Sequence, residues 1–277
     1  MNRQQRAEIA QQTLAILEAG HYRHPDGREV DLSDALARAC SGSVLYRPED
    51  RSAIHARASQ RPVLAGTTTG VSNRTTLAAA KALAAEHGRV ACLNFASARN
   101  PGGGFLSGSQ AQEESLARAT GLYATLIEHG EFYEHHRATR TALYSDRVIY
   151  SPGVPVFRDD HDMLLETPWR LDVITSAAVN TGALRENEPH RMGEVVPALE
   201  SRARMVLAIA AAHACDALVL GAWGCGVFAN DPAAIASVFA SAIDEPELRG
   251  RFRHIEFAVL DLSREGRTIV PFRERFS

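Results

Sequence analysis

Val90-Ala91-Cys92-Leu93-Asn94-Phe95 runs into Ala96-Ser97-Ala98-Arg99-Asn100-Pro101-Gly102-Gly103-Gly104, and seven residues later stands Gln112-Glu113-Glu114. The first segment is an apolar run of the length of a buried strand. The second ends in three glycines, which strip the side chains from a stretch of backbone so that its amides can approach a ligand closely. The third opens a helical pattern with two acids in its first turn, where the helix dipole favours negative charge. Taken singly, each has an ordinary structural reading, a flexible turn or a helix start. In this order they describe a site at the carboxyl end of a strand.

Outward from that stretch, strand and helix patterns alternate from Arg61 onward. Short apolar runs at Pro62–Ala65, Val90–Phe95, Val148–Tyr150, Val173–Ala177, Ala217–Gly221 and Ile255–Asp261 predict strands. Between them, Ser72–Glu86, Gln112–Glu128, Val195–His213 and Pro232–Ile243 predict helices, with Ser72 and Asp231 as N-caps and Pro232 at the first helical position. This alternation predicts a three-layer α/β/α sandwich on a mostly parallel or mixed sheet, with ligands at the loops after the strands. The first sixty residues carry no strand signal. Ile9, Thr13, Leu14 and Leu17 share a face stopped by Gly20, and further helices fall at Leu32–Cys40 and Pro48–Ala58. Residues 1–60 therefore read as a helical extension on a core of residues 61–277. Tyr150–Pro168 and Thr181–Pro197 read as irregular connections, either lids or plain surface excursions.

Composition narrows the function classes. The chain has 277 residues, with 30 basic against 33 acidic, a formal charge of −3. That balance argues against a nucleic-acid-binding module, which would concentrate basic residues on one face. No apolar run reaches the length of a membrane span, and the N-terminus lacks the apolar core of a signal peptide. Cys40, Cys92, Cys215 and Cys225 show no CxxC spacing, which fits free thiols in a reducing cytoplasm. Eleven histidines form no metal-binding spacing; Glu134-His135-His136, the densest cluster, reads as a solvated helix end, so no metal is expected.

A second glycine loop follows the strand Ala217–Gly221. It reads Gly221-Ala222-Trp223-Gly224-Cys225-Gly226-Val227-Phe228-Ala229-Asn230-Asp231-Pro232 and again leads into a capped helix. A strand, a glycine loop and a helix N-terminus make a natural cradle for phosphate. No Lys-Ser or Lys-Thr pair follows and neither loop matches GxGxxG, which excludes the nucleotide P-loop and the dinucleotide fingerprint. Glycine is of ordinary abundance, yet seven of the twenty (Gly102, Gly103, Gly104, Gly108, Gly221, Gly224, Gly226) lie in these two loops.

Gly102-Gly103-Gly104 followed by Gln112-Glu113-Glu114 resembles the signature of bacterial-type poly(ADP-ribose) glycohydrolases, which are macrodomain enzymes with an N-terminal helical extension. Asn94–Ala98 with Asn100-Pro101, the segment Asn73–Leu77, and Gly221–Phe228 resemble that family's pattern as well, so the likeness spans nearly the whole chain. The resemblance implies Glu114 as catalytic acid and Glu113 as the residue that positions ribose hydroxyls. It implies substrate contacts from Gln112, Asn100, Ala96, Ala98 and Gly102–Gly104 around the distal ribose. Gly224, Cys225, Gly226 and Val227 would hold the diphosphate, and Phe228 would be a wall on the adenosine side. It implies no cofactor, with poly(ADP-ribose) or ADP-ribosylated proteins as substrate, in a cytoplasmic monomer that reverses ADP-ribosylation. Helical periodicity does not itself select Glu114: Leu116, Ala119, Tyr123 and Leu126 define the expected buried stripe, and Gln112 and Glu113 lie nearer to it. The alternatives are a macrodomain that only binds ADP-ribose or removes single units from proteins, and an unrelated α/β scaffold whose two acids cap a helix.

Overall fold

The computed structural model describes all residues from Met1 to Ser277. Its helices are α1 (Arg3–Ala19), α2 (Ser33–Ser41), α3 (Arg51–Ser59), α4 (Thr76–Glu86), α5 (Gln112–Ala119), α6 (Leu122–Ile127), α7 (Gly130–Ala138), α8 (Thr181–Asn187), α9 (Val195–Ala212), α10 (Pro232–Asp244) and α11 (Val270–Phe276). Its strands are β1 (His21–Arg23), β2 (Glu29–Asp31), β3 (Val44–Tyr46), β4 (Thr68–Ser72), β5 (Val90–Phe95), β6 (Val148–Arg158), β7 (Leu164–Ser176), β8 (Ala217–Leu220) and β9 (His254–Ala258). Seven of them form one mixed sheet in the order β3-β6-β7-β5-β8-β9-β4. From β7 through β4 the neighbours are parallel, while β3, β6 and β7 pair antiparallel.

Strand pleating sorts the core into two layers. Val90 and Cys92 of β5, with Ala217 and Val219 of β8, face α4, α5, α6 and α7. Ala91 and Leu93, with Leu218 and Leu220, face α9, α10 and α11. The sheet is thus covered on both sides, which is why its central strands are continuously apolar. The expected three-layer α/β/α macrodomain architecture with a mixed sheet is the one observed.

Several local expectations are corrected. The first sixty residues are not all helical. β1 and β2 form a hairpin around His24–Gly27, and β3 joins the edge of the main sheet through Val44, Leu45 and Tyr46. These strands are three residues each, too short for a periodic signal to rise above noise. On α1 the buried positions are Ala10, Thr13 and Ile16, while Ile9, Leu14 and Leu17 are half-buried. The strand expected at Pro62–Ala65 lies downstream as β4: Pro62 has no amide to donate and Val63 is exposed, whereas Thr68–Ser72 pairs with β9. The helix expected from Ser72 starts at Thr76, capped by the Thr75 hydroxyl accepting from the Ala78 amide at 3.1 Å. Gln112–Glu128 is two helices, broken where Thr120 bridges to Val156.

Tyr150–Pro168 is no loose connection but most of the β6–β7 hairpin. Pro152 falls within, and Pro155 beside, a register shift between Ser151 and Val154, where a bulge removes the need for a ladder donor. Thr181–Pro197 is likewise ordered as α8, a 3₁₀ turn at Pro189–Glu194 and the start of α9. The cap on α10 is as expected, with Asp231 accepting from Ala233 and Pro232 at the first position. No helix is long and apolar enough to cross a membrane.

Arg202 of α9 is buried and is spent entirely inside the protein. It donates to the Ala177 carbonyl (2.6 Å), the Leu143 carbonyl (2.9 Å) and Asp146 Oδ1 (3.2 Å). Removing one partner of a buried ion pair leaves the other unpaired at a cost of about 3 kcal/mol or more. Arg202→Ala is therefore expected to lower the melting temperature by roughly 10 °C, as followed by circular dichroism. A drop of a degree or two would show that the segment Leu143–Asp146 is held by other means.

Candidate active site

Two glycine loops face one another because β5 and β8 are parallel neighbours, with Val90 opposite Ala217 and Cys92 opposite Val219. Both loops leave the carboxyl edge of the sheet. In the first, Gln112 stitches the start of α5 to the end of β5. Its Oε1 accepts from the Phe95 amide (2.8 Å), and its Nε2 donates to the Leu93 carbonyl (2.7 Å) and Thr76 Oγ1 (3.1 Å). Both ends of this amide are committed within the chain.

The next two residues are buried carboxylates. Glu113 is 3% exposed; its Oε1 accepts from Asn94 Nδ2 at 3.1 Å and its Oε2 from the Ser97 amide at 2.7 Å. Glu114 is 9% exposed, and its Oε1 accepts from the Gly104 amide at 2.9 Å. Its Oε2 is buried with no partner. A Cβ on Gly103, whose φ is +61°, would strike Glu114 Oε1 and stand 3.0 Å from Glu113 Oε2. Glycine is required there both by the left-handed backbone and by the approach of the two acids.

Burial pushes the Glu113 carboxyl up to about 8, against the hydrogen bonds from Ser97 and Asn94, and the charge of Glu114 adds to the rise. A carboxyl raised on folding contributes stability that is fully present below its unfolded value and is lost as pH rises through the folded one. Glu113→Gln escapes that loss. Its melting temperature relative to the parent protein should therefore be higher at about pH 9 than at about pH 5. An equal difference at both pH values would contradict the burial argument.

In the second loop, Trp223 is fully buried and donates from Nε1 to the Ser176 carbonyl at 3.0 Å. Asn230 donates to the Val179 carbonyl (2.9 Å) and accepts from the Thr181 hydroxyl, locking the base of the loop. Gly224 has φ +72°, and a Cβ there would strike Asn230 Nδ2. Burial pushes the Cys225 thiol up to about 12, so it packs as a small apolar group rather than as a nucleophile. Gly226 and Val227 are exposed at the tip, Val227 to 89%.

Between the second loop and the start of α5 lies a cavity of about 690 Å³. Phe95 at the end of β5 and Gln112 at the start of α5 line it, with Cys225 and Gly226 from the second loop and Arg74 and Thr75 at the start of α4. Its charged lining is balanced, with Arg6, Arg74 and Arg118 against Asp159, Asp160 and Asp162 at the tip of the β6–β7 hairpin. Glu113 and Glu114 stand beside this space rather than in its lining, and so does Phe228, whose ring lies 6.0 Å from that of Tyr144. Of the other residues singled out in the sequence, Ala96 and Ala98 are buried under the first loop. Asn100 is exposed, with its amide donating to Ser97 Oγ at 3.2 Å.

Helix α1 closes the far side of the first loop. Arg3 donates to the Ser107 carbonyl (2.9 Å) and Arg6 to the Gly108 carbonyl (2.8 Å), while Ala10 packs on Phe105 and Ala117. Arg118, buried in α5, donates to the Ser109 carbonyl at 3.1 Å and to Gln110 Oε1 at 2.5 Å. The segment that follows the glycines, Phe105–Gln110, is thus held by both α1 and α5.

Sequence reading gave no role to Asn94, Asn230 or Arg118. A signal existed for the first: Asn94 is the one polar residue in the apolar run VACLNF, and a buried amide there needs a partner. Asn230 and Arg118 stand among residues of mixed polarity; the partners of Asn230 come from a distant segment, and the Arg118 partners Ser109 and Gln110 from the irregular stretch before α5. Of Glu134-His135-His136 near the end of α7, Glu134 is exposed and His135 half-buried, but the third residue departs from a solvated helix end. His136 is fully buried against Phe132 and Tyr144.

The comparisons with known proteins agree with this geometry. The model of the microbial-type PARG catalytic domain matches residues 10–159. The crystal structure of poly(ADP-ribose) glycohydrolase from Thermomonospora curvata is 48% identical with a TM-score of 0.93, covering 99% of this chain and 100% of that one. The same enzyme bound to the inhibitor ADP-HPD superimposes with a TM-score of 0.91 at 48% identity, with the same coverage. The enzyme from Deinococcus radiodurans in complex with ADP-ribose is 43% identical with a TM-score of 0.82, covering 87% of this chain and 96% of that one. No curated protein matches the chain. A family match over more than half of the chain, with 48% identity to a crystal structure across nearly its full length, places the chain in the family of microbial-type poly(ADP-ribose) glycohydrolases.

Proposed function

We propose that the protein hydrolyses the ribose–ribose O-glycosidic bond of poly(ADP-ribose) and releases ADP-ribose, with Glu114 as general acid and then general base. The observation that carries the assignment is the asymmetry of the two acids. Both oxygens of Glu113 accept hydrogen bonds from the protein, whereas Glu114 keeps one buried oxygen unpartnered. Only that atom is free to give a proton to a leaving group.

In this reading Glu114 protonates the departing oxygen as the bond to the anomeric carbon breaks, and the ring gains oxocarbenium character. The resulting carboxylate then takes a proton from the attacking water, whose hydroxyl completes the released ribose. Glu113 accepts from the ribose hydroxyls with lone pairs left over from Asn94 and Ser97. The Gly224–Phe228 loop offers backbone amides to the diphosphate, and the neighbouring cavity houses the adenosine half.

The Oε2 atom of Glu114 also separates an enzyme from a module that merely binds ADP-ribose, which has no use for a buried acid. Incubation with purified poly(ADP-ribose) is expected to yield free ADP-ribose, resolved by chromatography. Polymer of unchanged length would refute the proposal. The balanced cavity charge further predicts that KM rises only about linearly, or less, with salt between roughly 50 and 200 mM, far from the steep dependence of a polyanion-binding cation field. Four free cysteines, two of them buried, favour a reducing compartment, and we place the protein in the cytoplasm as a monomer.

A further inference from the structure

Tyr144, just before β6, has a backbone φ of 59°. An aromatic residue in the left-handed region is an outlier, because its Cβ crowds the following carbonyl; glycine or asparagine would sit there without that penalty. Strain of this kind persists only where the surroundings over-determine the backbone. They do so here. The Leu143 carbonyl accepts from Arg202 at 2.9 Å, and the Ser145 amide and hydroxyl reach His136 Nε2 at 3.2 and 2.8 Å. Asp146 accepts from Arg202, from Ser201 at 2.6 Å and from Arg51. Burial pulls His136 down to about 3, so its ring stays a neutral acceptor.

These anchors would hold the backbone equally well around a residue that suits it better. What tyrosine adds is its ring, which stands between His136 (5.7 Å between centroids) and Phe228 (6.0 Å, tilted 47°). Phe228 belongs to the second glycine loop. Its carbonyl accepts from the Gly182 amide at 3.0 Å, and the residue after it, Ala229, is itself left-handed with φ 54°. Phe228 therefore sits on a loop of unusual backbone, with Tyr144 as an aromatic backstop.

We infer that Tyr144 is a positioning residue: its ring fixes Phe228, and with it the Gly224–Phe228 loop, in the conformation that receives the diphosphate. The inference rests on reading that loop as the diphosphate site. Because Tyr144 acts on ligand binding and leaves Glu113 and Glu114 untouched, its loss should fall on KM rather than kcat. Since it is strained, its loss should not cost stability, the signature of a residue kept for function.

Tyr144→Gly tests both points, with Tyr144→Asn as the second variant that tolerates a left-handed backbone and Tyr144→Phe as the conservative control. The glycine and asparagine variants are expected to melt at or above the parent temperature. Their KM for poly(ADP-ribose), and their Kd for ADP-ribose by calorimetry, should rise about tenfold, with kcat within about threefold. Tyr144→Phe should restore both constants to within about twofold, because the ring does the positioning. Unchanged KM and Kd in Tyr144→Gly and Tyr144→Asn would overturn the inference, as would a lowered melting temperature without a change in Kd. Calorimetry with ADP-ribose needs no turnover, so this result stands apart from the fate of the glycohydrolase reading.

Discussion

Glu114→Gln is expected to release ADP-ribose from automodified polymerase about 10²–10⁴ times more slowly than the parent protein, the usual contribution of a general acid. Its Kd for ADP-ribose, measured by calorimetry, should stay within a few-fold. The amide is isosteric, and its carbonyl oxygen can still accept from the Gly104 amide where Glu114 Oε1 now does. It cannot donate a proton to a leaving oxygen and then retrieve one from water. Glu113→Gln differs in kind: the group it removes already accepts from Asn94 and Ser97, so the expected damage extends to the positioning of the ribose. Near-normal turnover in Glu114→Gln, with turnover lost only in Glu113→Gln, would exchange the roles of the two acids.

Gly103→Ala should be nearly as harmful to activity, although it adds a single methyl. The new Cβ would meet Glu114 Oε1 and approach Glu113 Oε2 to 3.0 Å, and φ +61° is unfavourable for alanine. Something must shift, and both carboxylates stand on that side. A displacement on the order of 1 Å at the reacting groups costs roughly 10²-fold in kcat. The fold should survive, because both acids lie at the edge of the core and the loop is anchored through α1 and Arg118. Circular dichroism would confirm a native spectrum, and kcat against poly(ADP-ribose) would measure the damage. Full activity in the alanine variant would show that the loop relaxes freely, contrary to the tight placement seen here.

The layers of the fold were legible because β5 and β8, buried on both faces, are continuously apolar runs, and α9 and α10 between and after them are long enough to read as helices. The short strands β1, β2 and β3 were not, since three residues cannot display a period. The β6–β7 hairpin was hidden by Pro152 and Pro155, which read as breakers until the bulge that accommodates them is seen. The site divides in the same way. The glycines and the two acids stand close in the sequence, and their order pointed to the site. The proposed choice of Glu114 over Glu113 rests on which oxygens are already engaged, and those partners come from the end of β5 and from the loop. Helical spacing had set Glu114 farther from the apolar stripe than Glu113. Both are buried, because the first turn of α5 is covered by the loop rather than by the helix's own stripe.

The clasp between Arg3 and Ser107 joins residues 104 positions apart, and that between Arg6 and Gly108 joins residues 102 apart. Closing so long a span carries an entropic cost that must be met before its contacts repay it. The turn after the glycines, whose neighbour Gly104 donates to Glu114, is held partly through α1, so detaching α1 is expected to loosen it. A nick or truncation within the first ten residues should leave the sheet assembled and the protein soluble, yet catalytically slack. Loss of turnover would then report damage at the extreme amino terminus before any loss of fold does.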